Sequence, residues 1–258
     1  MGVTVALATS SISACKGANT RSPNVEVVEE REDRWARLVG ENLMVAYCSP
    51  ELRGEVDALF ELLLVMSLQG MELQDGSRVP LGWTTLVVGR EGEDLVLFEP
   101  DYEAEDPEST TRADVSATLR ILSRQLRVAA RIEVRPQPVN FDQHVLMVKG
   151  SLDVDNVYML RVESPGARLS GWRLHPTEGD HGDAELESLP IYEVYRRRPE
   201  LVEAMLLPPG YMAFFGGKQL QVLVDGDDQP VWQREQSAPI DAETPSFAPL
   251  VPDPAETR

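Results

Sequence analysis

The stretch between Ser49 and Gly70 carries apolar side chains at the spacing of one helix face. Ser49 is a favourable N-cap, Pro50 a favourable first helical residue and Gly70 a favourable stop. The apolar positions between them are Leu52, Val56, Leu59, Leu63 and Met66. This pattern predicts a helix over 50–69. Because the chain is almost wholly apolar from Leu59 onward, we expect this helix at the centre of a core.

Hairpins and a second helix are predicted from similar local patterns. Apolar runs at 83–88 and 95–98 flank a polar turn and predict a hairpin over 83–98. A second hairpin over 211–224 turns at Gly216-Gly217-Lys218, because glycine supplies the positive φ of tight turns. An apolar stripe predicts a helix over 113–131. Hairpins beside a few packed helices predict an α+β fold with mainly antiparallel sheets.

Further elements are predicted between the second helix and the last hairpin. Strands are expected at 145–149, 157–162 and 169–174. Ser188 is read as the cap of a short helix through Tyr195, and Pro199 as the start of another.

Composition shifts divide the chain into four regions. Residues 1–30 form a predicted disordered leader, and the proline-rich residues 235–258 form a predicted disordered tail. Pro136 and Pro138 mark a boundary between an N-terminal α+β region, 31–138, and a C-terminal domain, 139–234.

The charge balance restricts the partners of this chain. It has 24 basic and 43 acidic residues, for a net charge of −19. Nucleic acids and anionic membranes are therefore not expected partners, since phosphate binding depends on Lys and Arg. A basic protein would be attracted quickly. A stripe of arginines on the second helix is expected to face water or to pair with the acidic loop beside it: Arg120, Arg124, Arg127 and Arg131.

Catalytic signatures are absent from the sequence. It has no GxGxxG, P-loop, HExxH or GxSxG motif, so we expect no enzyme activity and no cofactor. His175 and His181 lie close to three carboxylates, which leaves a divalent metal site as an alternative to a polar surface loop. The loop is preferred, because proline and glycines loosen this segment, and no metal is expected.

Two acidic segments are candidate contacts for a partner. The first lies between Glu99 and Glu108, and its contact residues are Asp101, Glu103, Glu105 and Asp106. The second consists of Glu178, Asp180 and Asp183. Solvated loops are the alternative reading of both segments, and catalysis by paired carboxylates is a third for the first.

The two cysteines, Cys15 and Cys48, form no CxxC pair. We expect a reducing cytoplasm. A lipoprotein signal ending at Cys15 is the minor alternative, because no basic residue precedes the short apolar stretch before it.

The second half resembles a bacterial family of small domains found beside polymorphic toxins, immunity family thirty-three. The resemblance rests on Ser170-Gly171-Trp172, an acidic loop, Leu189 to Val194, Pro199-Glu200-Leu201 and Leu207-Pro208-Pro209-Gly210, in that order. It implies that a cognate toxin is bound and neutralised in the cytoplasm, without catalysis or cofactor.

Three functions are therefore expected in descending order. The first is an immunity protein that binds a cognate, basic toxin through its acidic loops. The second is a scaffold or adaptor module without a toxin partner. The third is a metal-dependent hydrolase that uses the segment from His175 to Asp183.

Overall fold

The computed structural model describes residues 33–164, 166–179 and 184–234. The predicted leader, the predicted tail and Cys15 lie outside the described residues. Asp180, His181 and Asp183 lie outside them as well.

The first half folds around a six-stranded sheet. Its strands are β1 (Arg34–Val39), β2 (Asn42–Tyr47), β3 (Arg78–Leu81), β4 (Thr84–Glu91), β5 (Asp94–Pro100) and β6 (Thr111–Arg112). The order is β1-β2-β5-β4-β3, with β6 beside β5. Only the pair β2 and β5 is parallel within this sheet. The predicted hairpin over 83–98 is present as β4 and β5.

The turn of that hairpin is shorter than predicted. Both strands continue through the polar residues that were assigned to the turn, and β4 pairs with β5 as far as Glu91 and Asp94. Gly89 is therefore a strand residue. A Cβ atom at Gly89 would lie 2.6 Å from the Phe98 ring, so the glycine makes room for an aromatic side chain across the strands.

Helix α1 (Arg53–Leu68) follows a short 3₁₀ turn at Pro50–Leu52. The turn and the helix together confirm the first predicted helix. The expected capping bond from Ser49 is not formed. The backbone N–H of Ser49 donates instead to Ser116 Oγ at 2.8 Å. This bond joins the start of α1 to the start of α2 (Ser116–Arg131), the second predicted helix.

The second half folds around a seven-stranded sheet. Its strands are β7 (His144–Val148), β8 (Asn156–Arg161), β9 (Leu169–Pro176), β10 (Leu186–Pro190), β11 (Met212–Gly216), β12 (Gln219–Val224) and β13 (Pro230–Gln233). The order is β10-β7-β9-β8-β11-β12-β13, and only β7 and β9 are parallel. The predicted hairpin over 211–224 is present as β11 and β12.

The predicted helix cap at Ser188 is wrong. Ser188 lies in β10, and its hydroxyl is 3.1 Å from Nδ1 of His144 on the neighbouring strand. Helix α3 (Ile191–Arg197) begins after Pro190, and α4 (Pro199–Val202) follows it. Two mostly antiparallel sheets with four helices confirm the α+β fold.

Helix α2 contributes to two hydrophobic cores. One face, with Leu119, Leu122 and Leu126, packs in the core of the first sheet and α1. Another face, with Ala117, Ile121 and Val128, packs in the core of the second sheet, α3 and α4. Both cores share helix α2. The domain boundary between residues 138 and 139 therefore stays a prediction, namely that the two halves can fold independently.

Arg161 is a buried cation that joins three backbone segments. Its guanidinium donates to the carbonyl oxygens of Gln137 (2.6 Å), Leu207 and Met205 (3.4 Å). Only 7% of the residue is exposed, and burial lowers the pKa of its guanidinium to about 10. The side chain thereby ties β8 to the linker after α2 and to the turn after α4.

We expect Arg161→Met to lower the free energy of unfolding by about 2 to 4 kcal/mol, because the three carbonyl oxygens lose their donor inside the protein. Urea unfolding of the two proteins measures the difference. Arg78→Met, at an exposed position of β3, is the matched control. Equal losses in the two variants would contradict a special role for Arg161.

Candidate partner-binding surface

The first acidic segment is an ordered loop between β5 and β6. Its ends are joined by the bond from Asp101 N to Thr110 O at 2.8 Å. Within the loop, Tyr102 is buried and stacks on Trp83 with ring centroids 4.8 Å apart. The Tyr102 hydroxyl lies 2.8 Å from Thr84 Oγ1 and 3.0 Å from Thr118 Oγ1. The loop is therefore anchored in the second core by its own aromatic side chain.

Helix α3 holds the same loop from the other side. The guanidinium of Arg196 donates to the backbone carbonyls of Tyr102 and Ala104 and pairs with Glu193. Pro107 is buried as well. These contacts fix the loop backbone against the second half of the protein, and the choice between a solvated loop and a partner contact stays a prediction about its outer side chains.

The predicted contact carboxylates lie on the outside of this loop. Glu103, Glu105 and Asp106 are exposed and Asp101 is partly exposed. Asp101 Oδ1 accepts a bond from Glu103 N, and Asp106 accepts bonds from Glu108 N and Ser109 Oγ. Within the described part of the chain, none of the four forms an ion pair. Their charge is therefore available to a partner.

Glu99 does not belong to this exposed set, although it begins the acidic run in the sequence. Its carboxylate is 0% exposed and accepts bonds from Arg112 Nε (2.9 Å), Arg112 Nη2 (2.6 Å) and Thr118 N (2.7 Å). Burial raises the pKa of Glu99 to about 7, against the lowering effect of these donors. The residue fixes the base of the loop to the first turn of α2.

The second acidic segment is only partly described. Glu178 is exposed just beyond the end of β9, and its predicted companions Asp180 and Asp183 lie outside the described residues. The acidic loop adjoins the opposite end of β9, because Glu108 and Arg168 line one cleft. Arg168 and Glu178 lie at opposite ends of β9 (Leu169–Pro176), so Glu178 does not form one patch with the acidic loop.

The Ser170-Gly171-Trp172 motif forms an irregularity between β7 and β9. Ser170 Oγ donates to His144 O at 2.8 Å and accepts from Trp172 N at 3.2 Å. Gly171 has φ +81°, and a Cβ atom there would lie 2.3 Å from Val162 O. Trp172 is buried beneath the Arg161 guanidinium, 5.8 Å from its ring centroid. The motif shapes the sheet, and its tryptophan is a core residue.

Two depressions adjoin this irregularity on the surface. A cleft of about 220 Å³ is lined by Glu108 of the acidic loop and by Asp142, Gln143, His144, Ala167 and Arg168. A mostly apolar cavity of about 50 Å³ lies beside it, lined by His144, Leu146, Val162, Leu169, Gly171, Trp172 and Arg173. His144 lines both, so the depressions connect the acidic loop to the second sheet.

One face of the second sheet carries partly exposed apolar side chains. Along β7, β8 and β11, alternate residues such as Met147, Met159 and Phe215 point into the core, where α2, α3 and α4 contribute side chains. The residues between them point the other way, and we call this side the open face. Its apolar members are Leu146, Tyr158, Leu160, Val162, Met212, Phe214, Val222 and Val224. This surface was not among the predicted sites, and its signal in the sequence is the alternation along each strand.

The arginine stripe of α2 is paired, but with other acidic residues than expected. Arg120 pairs with Glu51, Arg124 with Glu203 and Arg127 with Glu55, at 3.1, 2.9 and 3.7 Å. The Arg131 guanidinium lies 4.9 Å from the ring centroid of Trp232. The acidic loop is therefore not the partner of these side chains.

The residues that the structure describes give no support to the alternative of a metal site. Among them, no group of three or more His, Cys, Asp or Glu side chains could hold an ion. His175 stacks on Tyr158, with centroids 5.1 Å apart. Among the same residues, no helix is long and apolar enough to cross a bilayer.

We expect Gly171→Ala to destabilise the fold far more than Gly150→Ala. Both glycines have φ near +80°, but a Cβ atom at Gly150 meets nothing within 4 Å. The left-handed backbone costs each variant about 1 kcal/mol, and the collision with Val162 O should add about 2 kcal/mol or more at Gly171. Thermal and urea unfolding measure the difference. Similar losses of stability in the two variants would mean that the strands at the motif can move apart to make room for the Cβ atom.

The raised pKa of Glu99 gives a pH signature. Between about 4.5 and about 7 the folded state keeps the Glu99 proton that the unfolded chain has lost, so this residue makes stability fall as the pH rises. Glu99→Gln removes this dependence. The stability advantage of the natural protein over the variant should therefore shrink by on the order of 2 kcal/mol between about pH 4.5 and about pH 7.

Urea unfolding across this range measures the Glu99 effect. Glu103→Gln makes the same chemical change at an exposed position and serves as the control. A difference between natural protein and Glu99→Gln that stays constant with pH would show that Arg112 keeps the carboxylate ionised throughout.

The comparisons with known proteins identify one related family. Residues 124–232 match the Imm33-like domain, a family whose name refers to immunity proteins. No curated protein and no solved structure matches the chain at a significant level. The match covers less than half of the chain and includes the second sheet except for the last residue of β13, together with α3 and α4. The predicted resemblance is thus confirmed: the C-terminal half of this chain is similar to the Imm33-like domain.

Proposed function

We propose that this protein is an immunity protein that binds and neutralises a cognate bacterial toxin without catalysis. The observation that carries the proposal is the match of residues 124–232 to the Imm33-like domain. The proposed encounter takes place in the cytoplasm. That reducing compartment is compatible with Cys48, which is a free and buried thiol without a disulfide bond.

The acidic loop supports a role in reaching a basic toxin. Asp101, Glu103, Glu105 and Asp106 project from a backbone that Tyr102 and Arg196 hold in place. A preorganised loop loses little conformational entropy on binding. Together with the net charge of −19, the loop would speed association with a basic surface more than it would slow dissociation.

Neutralisation would follow from coverage of the toxin. The loop and the second sheet adjoin through the cleft at His144, so one bound partner can contact both. Glu178, Asp180 and Asp183 remain the second candidate contact, and Glu178 lies just beyond the far end of β9. A toxin bound at both ends of the second sheet would have a broad part of its surface covered. The covered part could then no longer contact the target of the toxin.

The test uses the product of the gene adjacent to the gene for this chain, inactivated for binding measurements. Asp101→Asn, Glu103→Gln, Glu105→Gln and Asp106→Asn together remove the charge but keep oxygen acceptors for the turns that Asp101 and Asp106 form. We expect association at low salt to slow by about tenfold or more. Dissociation should change less, and the deficit should shrink at high salt. Stopped-flow binding measures both rates.

The matched control neutralises Glu41, Glu72, Asp75 and Glu93, which are exposed near the other end of the first sheet. The control changes the net charge by the same amount. A larger decrease of the association rate in the loop variant would therefore show that the toxin approaches the acidic loop. A separate set, Glu178→Gln, Asp180→Asn and Asp183→Asn, tests the second segment. If the natural protein neither binds the adjacent product nor protects cells that express it, the immunity function is wrong.

A further inference from the structure

Among the described residues, the side chains of the open face are partly exposed, whereas those of the opposite side are buried. Tyr158 stacks between His175 and Phe214, with centroids 5.1 and 5.6 Å away, and so forms an aromatic row across β9, β8 and β11. Leu160 pairs with Met212 on β11 and with Arg173 on β9, next to this row. Partly exposed aromatic and aliphatic side chains on a rigid sheet are typical of the centre of a protein interface.

Acidic loops border this face at both ends of its strands. At one end lie Asp153, Asp155, Glu178 and Glu185, and at the other lie Glu163, Asp225, Asp227 and Asp228. The basic residues of the same loops are Lys149, Arg168 and Lys218; Lys149 pairs with Glu185, and Arg197 of α3 pairs with Asp153. Arg173 of β9 is exposed on the face itself, so the border is acidic in balance and not at every position. An apolar centre with an acidic border complements a partner surface that has an apolar centre and a basic border.

The open face is also continuous with the acidic loop. The cleft of about 220 Å³ is bounded by Glu108 on one side and by His144 at the end of β7 on the other. The neighbouring cavity of about 50 Å³ opens among Leu146, Val162 and Leu169. A small aliphatic side chain of a partner would fit this cavity, as interface anchors fit pockets.

We propose that the open face is the surface on which the toxin is anchored. The occupant is a toxin surface with an apolar centre and a basic border, and its central side chains cover Tyr158, Leu160 and Phe214. This inference rests on the proposed immunity function. It assigns the two surfaces different effects: the acidic loop sets the association rate and the open face sets the dissociation rate.

Leu160→Ala combined with Phe214→Ala tests the anchor. Dissociation of the inactivated adjacent gene product should accelerate by about 100-fold, while association changes less than about threefold. The matched control is Leu38→Ala with Leu68→Ala, since these side chains are 64% and 79% exposed but lie in the first half of the chain. The control pair should leave both rates unchanged. Circular dichroism and thermal unfolding establish that each variant is folded.

A second variant keeps the test decisive if the double alanine variant fails to fold. Tyr158→Ser changes one partly exposed residue and should still accelerate dissociation by about tenfold. Unchanged dissociation in a folded open-face variant, or faster dissociation in the control pair, would overturn the anchor while leaving the immunity function in place. Absence of binding by the natural protein would overturn the immunity function itself.

A second copy of this chain is the competing occupant. Sedimentation of the natural protein and of the open-face variant without toxin distinguishes it. A natural dimer that becomes monomeric in the variant would show that the open face binds another copy, and the proposal would then be wrong. A monomer in both cases, with the expected loss of toxin binding, supports it.

Discussion

Burial of α2 on two faces is the constraint on which the arrangement of the two sheets depends. One helix supplies Leu119 and Leu122 to the first core and Ala117 and Ile121 to the second. Other side chains also cross between the halves. Trp83 and Tyr102 come from the first half but lie in the second core, and Leu206 comes from the second half but lies in the first core. Each sheet therefore owes part of its core to residues from the other half.

The same connection positions the acidic loop. Glu99 fixes its base to the first turn of α2, Tyr102 reaches the second core, and Arg196 holds its backbone from α3. The loop begins in the first half of the sequence, and contacts from both halves set its position: Thr84 and Thr118 bind the Tyr102 hydroxyl, and Arg196, within the residues that match the Imm33-like domain, binds the backbone. The acidic loop and the open face therefore adjoin through the cleft at His144.

The motif that carries the family resemblance acts through the backbone. Gly171 permits an approach to Val162 that a side chain would block, and Trp172 covers the buried cation Arg161. Arg161 in turn satisfies carbonyl oxygens from two loops. Family resemblance at these positions therefore points to the framework of the sheet, and the proposed contacts lie on its open face and in the adjoining loop.

The sequence by itself determined the elements whose signals are local. Apolar spacing located α1 and α2, and apolar runs that flank a polar or glycine turn located both hairpins, because helix and hairpin periodicity depend on nearby residues. The ordered motifs also sufficed to predict the resemblance of the C-terminal half to the Imm33-like domain. Charge density selected Glu103, Glu105 and Asp106 as partner contacts, which stays a prediction; the structure places them on the exposed side of a loop whose anchors the sequence did not reveal.

Only the tertiary structure decided features that depend on distant partners. The strands β1, β2, β3, β6, β10 and β13 were missed, and Ser188 was assigned to a helix, because pairing with a remote strand overrides weak local preference. Glu99 looked like its acidic neighbours, but its position at the end of β5 places it under α2. The partners of the arginine stripe likewise follow from which elements meet in space. Alternation along the strands marks the open face in the sequence, but only the packing of α2, α3 and α4 decides which side of the sheet is covered by them.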